Sequence, residues 1–161
     1  PSQGAVASWV MGASRKELGQ IMTALTEDAK KPYWERRPEP VEGSRMYSGM
    51  LQTLYKAGAK YAQRDALLQG FRVLAAIELW RAKQGSAPRA LSELVPRYLE
   101  ALPEDPFTGD DFIYRVEGKG YRLYSTGPDK EDDDGAARID SKSQQGDLIL
   151  WPAGPMSAKA G

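Results

Sequence analysis

Carboxylates are the side chains of this sequence best placed to do chemistry. The densest run is Asp129-Lys130-Glu131-Asp132-Asp133-Asp134-Gly135, and Asp140 and Asp147 follow it. A divalent cation needs several oxygen ligands close together, and a glycine-bounded loop can fold around one. The spacing is not that of an EF-hand, which alternates acids about a central glycine. The competing reading is a solvated acidic loop that binds nothing specific. A second acidic stretch, Glu104-Asp105-Pro106-Phe107-Thr108-Gly109-Asp110-Asp111, has the turn chemistry of a structural loop anchored by Phe107. Paired carboxylates could also serve glycoside hydrolysis, but no sugar pocket is legible in the sequence.

Composition closes other routes. The chain has 161 residues with no His and no Cys. Within it, Ser-His-Asp triads, thiolate nucleophiles, His- or Cys-ligated zinc and disulfide scaffolds are excluded. Lys plus Arg is 22 and Asp plus Glu is 22, so the net charge is zero. A dedicated nucleic-acid binder would show a basic excess. No apolar run approaches the ~20 residues of a membrane span. The chain opens at Pro1 rather than Met. That reads as an excised fragment, with any membrane anchor or export signal upstream. The length suits one domain with a sizeable core.

The elements that must position the acids follow from periodicity and punctuation. Residues 1–30 read as helical, with Ser14 and Glu17 spaced as a capping box and Leu18, Ile21, Met22 and Leu25 on one stripe. Pro32, Pro38 and Pro40 make residues 31–43 an extended connector, with Tyr33 and Trp34 packing back onto the body. Ser44 can cap a helical stretch to about Gln84, either one helix or two with a kink near Gly58 or Gln63. Its apolar face is read as Met46, Met50, Leu54, Tyr61, Leu67, Leu68, Phe71, Leu74, Ala75 and Ile77, and this stripe is expected to face the sheet. Gly85 is a natural stop. Pro88 suits the start of a short helix to Val95, with Leu91, Leu94 and Val95 inward. Phe112–Val116 and Tyr121–Ser125, separated by Gly118-Lys119-Gly120, predict a hairpin, and Leu148–Trp151 a last strand. The tail after Pro152 reads as disordered. Trp9, Trp34, Trp80 and Trp151 are too dispersed for a binding platform, so packing is their expected role.

From about Leu67 to Trp151 an ordered set of motifs stands out. A helix ends at Gln84-Gly85-Ser86-Ala87-Pro88, and Leu91-Ser92-Glu93-Leu94-Val95 follows. Next come Leu102-Pro103-Glu104-Asp105-Pro106-Phe107-Thr108-Gly109, then Tyr121-Arg122-Leu123-Tyr124-Ser125-Thr126-Gly127-Pro128-Asp129, and finally Gly146-Asp147-Leu148-Ile149-Leu150-Trp151. This series resembles the C-terminal region of the major pseudopilin of type II secretion systems and related pilin-like domains. The resemblance implies a structural calcium in the acidic loop. Asp129 and Asp147 would be its side-chain ligands and the Thr126 carbonyl a backbone ligand, with one of Asp132, Asp133 or Asp134 completing the set. The sequence departs from the family in a longer loop between Asp129 and Asp147. Lys130, Arg138 and Lys142 there bring positive charge that could replace a cation. The family's hydrophobic N-terminal helix is also absent from this chain.

The expectation is an α+β fold, with long N-terminal helices packed on a small antiparallel sheet. Residues 1–43 would form a helical segment and connector, 44–152 the pseudopilin-like domain and 153–161 the tail. By fold-level analogy the function would be non-enzymatic assembly or scaffolding in the periplasm or cell envelope, through protein partners or self-assembly. The alternative is a peptide- or protein-binding module of a larger extracytoplasmic protein, using the sheet edge or the Tyr33-Trp34 connector. A third reading, a small carboxylate hydrolase, needs two acids in a shared cleft.

Overall fold

The computed structural model describes residues 15–36, 45–118, 120–136 and 146–151. The Ser14 and Ser44 caps, most of the Pro-rich connector, Asp140 and the tail after Pro152 lie outside the described residues. The protein is α+β: a long helix packs against a three-stranded antiparallel sheet. Two compact units divide within that helix, Pro1–Tyr61 and Ala62–Gly161.

In the first unit, helix α1 (Arg15–Ala29) leads to a 3-10 turn at Tyr33–Glu35. Of the expected stripe, Ile21 is buried, Leu25 half-buried and Met22 exposed. The end of α1 leaves carbonyls without helical partners. The Arg36 guanidinium takes one carbonyl at that end and one just beyond it, donating to Ala29 O at 3.1 Å and to Lys31 O at 3.0 Å. A cation there also complements the helix dipole. Tyr33 and Trp34 are half-buried.

Helix α2 (Arg45–Gln84) is one helix, unbroken at Gly58 and Gln63. It stops at Gly85, whose φ of +78° suits a residue without a β-carbon and whose N–H donates to Arg81 O at 2.8 Å. In the second unit the short helix is narrower than expected, a 3-10 turn at Leu91–Leu94 with both leucines buried. Asp105 Oδ1 accepts from Phe107 N at 3.0 Å, and Gly109 N donates to Asp105 O at 2.8 Å. This tight turn drives Phe107 to zero exposure, as its anchoring role predicts.

The sheet order is β1-β2-β3, with β1 Ile113–Glu117, β2 Gly120–Ser125 and β3 Leu148–Trp151. Side chains alternate between its faces. Tyr121 lies on the face toward α2, where its hydroxyl donates to Glu78 Oε1 at 2.7 Å and Arg81 lies over its ring. Trp151 stacks on Tyr121 from the neighbouring strand. Arg122 and Tyr124 lie on the opposite face.

The expected sheet-facing stripe of α2 is corrected by the structure. Ala66, Val73, Ala76 and Ile77 are buried, whereas Leu68 and Phe71 are 52% and 60% exposed. The reason is size. A β-carbon at Gly70 would collide with the Leu150 side chain, so α2 approaches the sheet along its small residues. Of the expected stripe, Ile77 is buried, whereas Leu68 and Phe71 are turned outward.

Candidate functional site

The acidic loop leaves β2 at Thr126 and returns to β3 at Asp147. Gly127 adopts φ +74°, and a β-carbon there would come 2.7 Å from Gly146 O. Glycine at 127 therefore lets the outgoing and returning chains touch. Two carboxylates tie the base of the loop. Asp129 Oδ2 accepts from Gly146 N at 2.6 Å, and Asp147 Oδ2 accepts from Gly135 N at 2.6 Å. Backbone adds a third tie, Asp147 N donating to Ala136 O at 3.1 Å.

Asp147 is 1% exposed, and its Oδ1 is buried without a hydrogen-bond partner. Burial pushes its carboxyl above the usual carboxylate range. Hydrogen bonds from Gly135 and Asp133 oppose the rise, while the nearby charges of Asp132 and Asp133 add to it. Thr126 Oγ1 is likewise buried and unpartnered. The expected ligands Thr126, Asp129 and Asp147 thus gather at the base of the loop.

Asp132 and Asp134 go elsewhere. Arg115 Nη2 donates to Asp132 Oδ2 at 2.8 Å and Nη1 to Asp134 Oδ1 at 2.6 Å. Tyr124, with no exposed surface, donates its hydroxyl to Asp132 Oδ1 at 2.9 Å. Burial, and then that bond to a carboxylate, push the Tyr124 hydroxyl up to about 12. Arg122 donates to the Asp134 carbonyl and pairs with Glu117 at 3.1 Å. The positive charge on these acids therefore comes from the strands. Arg138 and Lys142, two of the basic residues singled out in the sequence, lie outside the described residues.

Arg115 and Arg122 were not singled out by their sequence neighbourhood, but the hairpin register carries the signal. They sit directly opposite each other on β1 and β2. Like charges in that position destabilise a sheet unless an anion lies between or over them. The acidic loop supplies it, covering the sheet face opposite α2. Among the described residues, no three acidic side chains form a ready-made metal-ligating group. Asp105, in the second acidic stretch, is buried, and desolvation raises its carboxyl too.

No family model matches this chain, and neither a curated protein nor a solved structure matches it. Among the described residues no helix is long and apolar enough to cross a membrane.

Proposed function

We propose that this chain is a non-catalytic, pilin-like assembly domain of an extracytoplasmic protein, with a structural calcium at the base of its acidic loop. The observation that carries the calcium is Asp147. A buried carboxylate oxygen without a partner is costly unless a cation neutralises it, and the Thr126 hydroxyl is buried and unpartnered as well. The donors present are all oxygens, which suits a hard cation. Asp129 and Asp147 would hold it, joined by oxygen from Thr126. Calcium would supply positive charge to a carboxylate that is almost fully buried.

Arg115 neutralises Asp132 and Asp134, so the reading assigns those two to the sheet face and not to the ion. The resulting division of labour is simple. Arginines hold the tip of the loop on the sheet, and calcium closes its base. The ordered motifs from Leu67 to Trp151 support the pilin-like assignment, and the α+β helix-on-sheet class is compatible with it. The extracytoplasmic setting is part of the same analogy.

The test is thermal unfolding with calcium and with a chelator at matched ionic strength. Calcium bound only to the folded state raises the midpoint in proportion to the logarithm of its excess over the dissociation constant. The expected result is a calcium-dependent rise that is lost in Asp147→Ala and Asp129→Ala. Identical melts of the unaltered chain would overturn the calcium site and weaken the functional carry-over, leaving the motif resemblance as its support.

A further inference from the structure

The outward face of α2 in the second unit is apolar along its centre and charged on its shoulders. Leu68, Phe71 and Leu79 are 52%, 60% and 56% exposed. Leu68, Ala75 and Leu79 recur at steps of seven and four, the spacing of a helix–helix seam. Asp65 and Arg72 flank the seam on one side, Arg64 and Phe71 on the other, as the 100° step of an α-helix dictates.

We propose that this face pairs antiparallel with the same face of a second copy of the chain, about a two-fold axis level with residue 70. This deepens the assembly reading by naming the partner, and its test is separate from the calcium melt. In that register Phe71 meets the partner's Phe71 across the axis, and Leu68 lies level with the aliphatic stem of the partner's Arg72. Asp65 and the partner's Arg72 are offset by three residues, about 4.5 Å of helix rise, within reach of a long guanidinium side chain. Arg64 and the partner's Glu78 are offset by two residues, about 3 Å. Two-fold symmetry repeats each contact.

Charge selects this arrangement over its opposite. A parallel, in-register pair would set Arg64, Asp65 and Arg72 level with their own copies, and like charges repel. The groups are also held suitably in the single chain. Arg72 donates to Gln69 Oε1 at 2.8 Å on the same shoulder as Asp65. The contacts Glu78 makes with Tyr121 and Arg81 both use Oε1. Glu78 can therefore hold the sheet with one oxygen while Oε2 faces a partner.

Sedimentation velocity of the full chain over a wide concentration range tests the pairing. The expected result is a concentration-dependent dimer. Phe71→Glu should leave the far-UV circular dichroism unchanged, because residue 71 is exposed, and should give a monomer. Asp65→Arg should weaken the dimer at least about tenfold, and adding Arg72→Asp should restore most of that loss. A monomer throughout would overturn the proposal. So would a dimer that survives Phe71→Glu, or a double variant no tighter than Asp65→Arg alone.

Discussion

Gly70 of α2 and Leu150 of β3 are in such close apposition that the leucine side chain occupies the space a β-carbon at residue 70 would need. Helix and sheet are in contact there because residue 70 has no side chain. Gly70→Ala should therefore destabilise the protein by about 1–3 kcal/mol through overpacking, outweighing the roughly 1 kcal/mol gain in helix propensity. Chemical denaturation measures this. The loss should shrink when Leu150→Ala opens the space, a non-additivity expected of touching residues. Full additivity would place the two residues out of contact.

Tyr121 and Glu78 tie the same helix to the central strand. Tyr121→Phe keeps the ring stack with Trp151 and removes only the hydroxyl bonded to the carboxylate. The expected loss is about 2 kcal/mol in denaturant melts, the scale of a hydrogen bond to a charged group. An unchanged midpoint would mean that water replaces the hydroxyl at no cost.

These two contacts mark where the sequence was legible and where it was not. Gly85 as the end of α2, the hairpin either side of Gly118, Phe107 as a loop anchor and the strand Leu148–Trp151 could all be read directly. Each is specified by local chemistry: a positive φ, a two-fold alternation or a tight turn. The orientation of α2 could not be read this way. Apolar counting favoured Leu68 and Phe71 as the buried face, whereas close approach to the sheet needed Gly70 and Ala66 there. In the site, Asp129 and Asp147 were visible as acids. Arg115 and Arg122 were hidden because their relation to Asp132 and Asp134 exists only after the hairpin has paired.

Asp147 sets a pH dependence with a definite sign. Its folded-state pKa is raised above the ordinary 3.8. Its contribution to stability is thus fully present below 3.8 and is lost as pH rises through the raised value. At neutral pH without calcium the ionised group opposes folding. Asp147→Asn should raise the melting midpoint in chelator at neutral pH, flatten the pH profile above pH 4, and abolish the calcium response. Asp105, also raised, would leave some slope behind. A variant less stable than the unaltered chain in chelator at neutral pH would sink this account.

Arg115 should act through charge that salt can reach. Its partners Asp132 and Asp134 are exposed enough to be screened. Arg115→Met should lower the midpoint at low ionic strength, and the difference should fade in about 1 M salt, where the Debye length is about 3 Å. A difference independent of salt would point to packing of the Arg115 stem on the Tyr124 ring instead.

The strand order has a consequence for chain entropy. Strands β1 and β2 are joined by Gly118 and Lys119, but β3 reaches β2 only through residues 126–147. Docking β3 closes a large ring, and the freedom of that ring is given up when it docks. The bonds from Asp129 to Gly146 and from Asp147 to Gly135 subdivide the ring into smaller ones. Besides carrying charge, these two carboxylates act as spokes that bring the third strand to the sheet already partly tethered.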